Sequence, residues 1–302
     1  VDVSAVKVRE MLEKSVQSQL IADVELGTFL SGGIDSSLIT AFAQRHSSIR
    51  MKTFSIGFDQ AVFDESPFAE HVADYLGTQH YHHTFSDRDV LDVLPEVVEK
   101  MDEPFGDASI LPTFLLSGFT RSHVTVALSG DGGDEMFAGY PTYLAHRLAQ
   151  PFRYLPQWLN HYLRHLALLS PDVLSVLPFT RHLGTYGSRF KIERFFNGLD
   201  RDLASQHLDF FGPIDHDRRL KLILGSTDYG LDHARWIFDC VSSLSMQTQL
   251  QVYDFMVFLC DDCLVKTDRA SAYNSLEVRV PFLDQELVEY VFSLPSMYHH
   301  RG

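Results

Sequence analysis

The sequence predicts an α/β protein: a parallel sheet with helices on both faces, followed by a mostly helical C-terminal part. Three observations carry that prediction. Short apolar or alternating runs trade places with helix-period stretches between residues 27 and 129. Two glycine-rich acidic loops, 31–37 and 129–135, fall at the ends of such runs. Beyond Tyr140 the strand signal fades, and residues 141–302 read as helices broken by Pro151, Pro156, Pro171, Pro178 and Pro213.

Taken in order, Gly27–Ser31 is a short apolar strand, and the run that follows suits a helix from about Asp35 to His46. The stretch 51–58, MKTFSIGF, alternates at its centre and reads as a second strand. In the helix 65–76 that follows, Phe68, Ala69, Val72, Ala73 and Leu76 share one face. Residues 79–85 form a third strand, and Ser86 with Asp89 has the spacing of a capping box for another helix. The run 124–129, VTVALS, is the next strand. Strands alternating with helices of this length form parallel βαβ units, and their ligands sit at the carboxyl ends of the strands. The expected organisation is a nucleotide-binding core over about 20–140 and a helical part over about 141–302 that returns the segment 264–284 to the site.

The bulk numbers narrow the function class. The chain has 302 residues, and its 45% hydrophobic and 22% charged content is ordinary for a soluble globular protein. A net charge of −15 argues against nucleic acid as a partner. Arg147, Arg153, Arg164, Arg181, Arg189 and Arg194 are dispersed along helical sequence, as solvated helix faces are. Three cysteines are too few for a disulfide framework. The lone Cys260–Cys263 pair with Cys240 lacks the four ligands of a structural zinc site. No apolar run reaches the length of a membrane span and no signal peptide is visible, so cytosol is the expected compartment.

The first loop, FLSGGIDSS at 29–37, poses a chemical problem. Its glycines let backbone approach a ligand, and the helix start that follows favours anions. Asp35 opposes that attraction unless a divalent cation sits between it and phosphates. No lysine follows the glycines, so this is not a Walker loop. The second loop, SGDGGDEMFAGY at 129–140, has Glu135 where a dinucleotide fingerprint needs its third glycine. Asp131, Asp134 and Glu135 instead suit a hard cation with oxygen ligands, Mg²⁺ above all. In LVKTDRASAYNSLEVRVPFLD at 264–284, Lys266 and Arg269 share a helical face. Glu277 and Arg279 suggest a structural pair, and Pro281 with Asp284 a helix cap. In a strand, His80 and His82 point one way and His83 the other, as surface imidazoles rather than metal ligands.

Together, FLSGGIDSS, KTFSIGF, FDESPFAEHVADYLGTQH, MDEPFGDAS, VALSGDGGDEMFAGY and LVKTDRASAYNSLEVRVPFLD, in this order over about 27–295, resemble the synthetase domain of the asparagine synthetase family. SGGxDS alone marks the wider group of pyrophosphate-loop ATPases, with an adenine nucleotide alpha hydrolase-like fold; the later blocks narrow it. The resemblance implies ATP and Mg²⁺ as cofactors. It implies that aspartate and ATP form β-aspartyl-AMP and pyrophosphate, and that ammonia then displaces AMP to give asparagine. By that pattern Ser31, Gly32, Gly33, Asp35 and Ser36 form the pyrophosphate loop, and Leu30, Ile56, Ser129 and Gly130 contact AMP. The same pattern implies that Asp35 and Asp134 would hold Mg²⁺. Asp131 stands where the family's carboxylate for intermediate formation and ammonia deprotonation lies, many relatives having glutamate there. For the catalytic cation the register favours Arg269, with Lys266 close behind.

The family carries an N-terminal glutaminase domain led by a nucleophilic cysteine, whereas this sequence starts at Val1, so the expectation is either a fragment of a longer enzyme or ammonia arriving another way. The expectation is therefore ammonia use by this chain alone, with any glutaminase domain or subunit elsewhere and a homodimer left open. Two other readings remain at this level: a relative that amidates a different carboxylate or closes a β-lactam, and a nucleotide-binding subunit without catalysis.

Overall fold

The structure is a computed structural model that describes residues 2–59, 64–169, 188–212, 214, 216–222 and 228–298. Pro171, Pro178, Arg181 and Pro213 lie outside the described residues. In chain order the elements begin α1 (Asp2–Gln19), β1 (Leu26–Phe29), α2 (Ile34–His46), β2 (Lys52–Phe58), α3 (Ser66–Leu76) and β3 (Gln79–Phe85). There follow α4 (Asp87–Lys100), α5 (Ile110–Arg121), β4 (Val126–Leu128) and α6 (Gly133–Phe137). Then come α7 (Pro141–Ala149), α8 (Gln157–Leu169), α9 (Ser188–Gly198), α10 (Leu203–Phe211), α11 (His216–Leu222), α12 (Tyr229–Cys240) and α13 (Met246–Tyr253). A π-helical stretch, Asp254–Cys263, precedes α14 (Leu264–Tyr273), β5 (Glu277–Arg279) and α15 (Gln285–Ser293). The chain divides into two compact units: Val1–Phe137 with Phe255–Gly302, and Ala138–Asp254.

In the first unit, five strands form one sheet in the order β3-β2-β1-β4-β5, every neighbouring pair parallel. Alternation along β4 shows how both faces are covered. Leu128 packs into a core with Ile39, Phe42, Leu12, Val16 and Leu287 from α2, α1 and α15. Its neighbour Ala127 points the other way, into a core with Phe54, Val124 and Leu276. Val93, Val97, Ile110, Phe114 and Ala270 join α4, α5 and α14. On β1, a Cβ at Gly27 would lie 2.5 Å from the Phe54 ring, so the glycine makes room for the aromatic on β2.

Local signals behave as their chemistry requires. Ser86 and Asp89 close a capping box on α4, and Asp284 caps α15 by accepting from the Leu287 amide at 3.2 Å. Arg279 donates to Glu277 at 2.6 Å and also to the carbonyls of Gln19 and Ile21, tying β5 to the end of α1. The mostly helical stretch 141–302 also holds β5, which leaves no strand signal in the sequence. Three residues are too few to show alternation, and the turn before them places Ser275 at φ 59°, an unusual value for a residue other than glycine. α1 and α5 likewise carry no clear signal in the sequence. The α5 run ILPTFLLSGFTR holds a proline and a glycine that mask its helical period.

The second unit is helical among the described residues. Its core holds Ala149, Phe195 and Leu199 and a buried polar chain. His146 Nε2 lies 3.1 Å from His207 Nδ1, and His207 Nε2 lies 2.7 Å from Asp254 Oδ1. Among the described residues, no helix is long and apolar enough to cross a membrane.

Candidate active site

The strand order reverses at β1. From there the chain builds outward to β2 and β3 on one side, and β4 and β5 fill the other. The crevice between the carboxyl ends of β1 and β4 is therefore the expected ligand position in such a sheet. Both glycine-rich loops open there. After β1, Gly32 has φ +81°, and a Cβ on it would lie 2.5 Å from the Phe68 backbone, so only glycine fits. Gly33 precedes α2 and offers no side chain to the first-turn amides, which leaves them for an anion. Ser31 and Ser36 brace the turn: their hydroxyls lie 3.0 Å apart, and Ser31 Oγ accepts from the Gly33 amide at 3.3 Å.

The β4 loop meets this turn through bare glycines. A Cβ on Gly130 would lie 3.0 Å from the Ser36 nitrogen, and one on Gly133 would lie 2.5 Å from the Asp35 carboxyl. Burial, then the charge of Asp134, pushes the Asp35 carboxyl up to about 6. Burial raises Asp134 as well. Among the described residues no cluster of three or more His, Cys, Asp or Glu is placed to hold a metal. Two carboxylates completed by substrate phosphates and water are, however, the usual donor set of Mg²⁺. The residues present fit that ion.

A sign follows for stability. A carboxyl raised by folding stabilises the protein below its unfolded pKa and loses that contribution as pH rises through about 6. In metal-free protein, Asp35→Asn should therefore raise the melting temperature relative to wild type. The gap should grow from about pH 4 to about pH 7 and then level off. Thermal unfolding of both proteins across that range in chelator checks it; a gap that shrinks with rising pH refutes it.

The third part of the site comes from α14. Asp131 sits deep but keeps an edge open to solvent. Its Oδ2 accepts from Ser129 Oγ at 3.0 Å and Thr267 Oγ1 at 3.1 Å. Burial raises its carboxyl, opposed in part by Ser129, Thr267 and the Lys266 charge. Lys266 Nζ donates to Asp107 Oδ2 at 2.9 Å and Ser109 Oγ at 2.8 Å. Burial alone would raise Asp107, but Ser109 and Lys266 hold it below its ordinary value. Arg269 instead pairs with the exposed Glu103 at 3.1 Å.

The structure thus gathers Ser31, Gly32, Gly33, Asp35, Ser36, Gly130 and Asp134 where the two loops meet, and ties Asp131 to α14. Leu30 is buried, its amide donating to the Phe54 carbonyl at 2.9 Å, and Ile56 lies half-buried on β2. Ser129 is buried, its amide donating to the Arg279 carbonyl at 2.8 Å. His80 and His82 bond to Thr53 and Ser55, and His83 meets Phe85 edge-on and Phe119 at a tilt. Burial pushes the Cys263 thiol up to about 12, and burial with Asp261 raises Cys260, so neither is a ready thiolate. Sequence reasoning missed Asp107, Ser109 and Thr267. Asp107 and Lys266 lie 159 residues apart, so spacing carries no signal of their contact.

A family model described as Asparagine synthase matches residues 7–302. The chain belongs to that family. It is 33% identical over 292 residues to a glutamine-hydrolyzing asparagine synthetase of Bacillus subtilis, covering 96% of this chain and 44% of that protein. A second such enzyme from the same organism is 29% identical, covering 97% of this chain and 43% of its own length. One from Zea mays is 38% identical over 150 residues, 45% of this chain and 25% of the relative. The chain thus spans under half the length of these relatives.

Proposed function

We propose that this chain binds ATP across the β1 and β4 loops and activates a carboxylate as an acyl-adenylate, which ammonia converts to an amide. Aspartate is the carboxylate, and asparagine, AMP and pyrophosphate are the products. One observation carries the reading: an anion-ready glycine turn meets a half-buried acid pair at the strand reversal. The family membership and the names of the relatives support it.

In this reading Ser31, Gly32, Gly33, Asp35 and Ser36 cradle pyrophosphate at the start of α2, and Leu30, Ile56, Ser129 and Gly130 line the AMP moiety. Asp35 and Asp134 would hold Mg²⁺, which when bound neutralises phosphate charge. A β-carboxylate oxygen of aspartate bonds to the α-phosphorus, and the bond to the β-phosphate bridging oxygen breaks as pyrophosphate leaves. Ammonia nitrogen then bonds to the acyl carbon, its extra proton passes to Asp131, and the bond to AMP breaks. The raised carboxyl of Asp131 makes it a stronger base than an ordinary aspartate. Register along α14 favours Arg269 as the cation that meets developing charge. The field at Asp131 favours Lys266.

The test supplies purified chain with ATP, Mg²⁺, ammonium and a panel of carboxylates, and separates the nucleotides. AMP and pyrophosphate formed with aspartate support the reading. ADP and phosphate would sink it, and AMP formed only with another carboxylate would reassign the substrate.

A further inference from the structure

The geometry points to Thr267 as a positioning residue that fixes the orientation of the Asp131 carboxylate from across the fold. The inference rests on the proposed function, since it concerns how Asp131 is aimed in that reaction. Two hydroxyls converge on a single oxygen of Asp131, its Oδ2. They are not equivalent. Ser129 belongs to the same loop, two residues upstream, and moves with Asp131. Thr267 lies 136 residues away on α14, so its bond ties the loop to a helix.

That helix is a firm anchor. Ala270, one turn on, is fully buried among Val93, Val97, Ile110 and Phe114. Thr267 is itself buried, and its branched Cβ leaves few rotamers. Its neighbour Lys266 is held by Asp107 and Ser109, so one turn of α14 presents a fixed ammonium beside a fixed hydroxyl. An aspartate has few torsions, and donors on one oxygen settle both its rotamer and the plane of its carboxylate. With Oδ2 held, Oδ1 takes no hydrogen bond among the described residues and is the oxygen left to receive a proton. Packing alone would be served as well by valine, which matches threonine in shape; the hydroxyl is what reaches Asp131.

The experiment compares Thr267→Val and Thr267→Ser with the full chain in the same assay of AMP, pyrophosphate and asparagine. A hydrogen bond to a charged group contributes about 1.5–3 kcal/mol, which corresponds to a loss of about 10–150-fold. Thr267→Val is expected to lower kcat by that factor while KM for ATP and aspartate stays within about twofold. Thr267→Ser, which keeps the hydroxyl, should return kcat to within about threefold of wild type. A valine variant equal to wild type overturns the inference. So do valine and serine variants that fall alike, or a loss confined to KM. If wild type forms no AMP and pyrophosphate, the functional reading fails and takes this inference with it. If wild type forms them and valine changes nothing, only the role of Thr267 fails.

Discussion

Asp131→Ala is expected to lower the rate of the proposed amide formation by about 10²–10⁴-fold, the usual weight of a positioned acid–base group. The expectation rests on where the carboxylate sits. It is deep, raised by burial, and held on Oδ2 by two hydroxyls from different parts of the chain. A surface carboxylate would have none of these features and would be a weaker base. Folding should survive the change, because a group that folding raises is not a net source of stability near neutral pH. Melting temperature measured beside the rate separates the two effects. The half-reactions can also be resolved. If Asp131 acts only on ammonia, exchange of labelled pyrophosphate into ATP persists in Asp131→Ala while amide formation is lost. If it also helps to form the adenylate, both fall together. A loss of less than about tenfold in both would remove Asp131 from the chemistry.

What was legible in the sequence was local. β1, β2 and β3 declare themselves by apolar runs or alternation, and their observed limits differ from expectation only at the ends. The Ser86 box and the Asp284 cap are three-residue relationships, and both form. The glycine loops were legible because few backbones need two adjacent glycines beside an acid. β5 was not, since its existence depends on β4 already being in place to receive it. The same limit hid Asp107, Ser109 and Thr267. Each earns its place in the site through a partner distant in the chain, and periodicity does not reach that far. The strand order was equally out of reach, yet it is what sets the two acid loops side by side.

The choice between the two cations of α14 is the sharper test of the site. Lys266→Ala should lower turnover by about 10²–10³-fold, the loss typical of a preorganised group facing transition-state charge. Arg269→Ala should cost about tenfold or less. They lie three residues apart on one helical face, and register favours Arg269. Their surroundings favour Lys266. Both side chains are largely buried, but Lys266 is anchored at 2.9 Å by Asp107 and 2.8 Å by Ser109, and its charge is felt at Asp131. Arg269 leans on Glu103, an exposed carboxylate, and an ion pair in that setting is weakened by water and salt. Lys266→Arg should recover little, because a planar guanidinium cannot reproduce a compact ammonium held by two oxygens. Removing Lys266 also strips Asp107 of its partner, so thermal unfolding must accompany the kinetics. A melting temperature near that of wild type with turnover down at least a hundredfold would assign the loss to chemistry. The reverse ranking, with Arg269→Ala the more damaging at equal stability, would move the catalytic cation one turn along the helix.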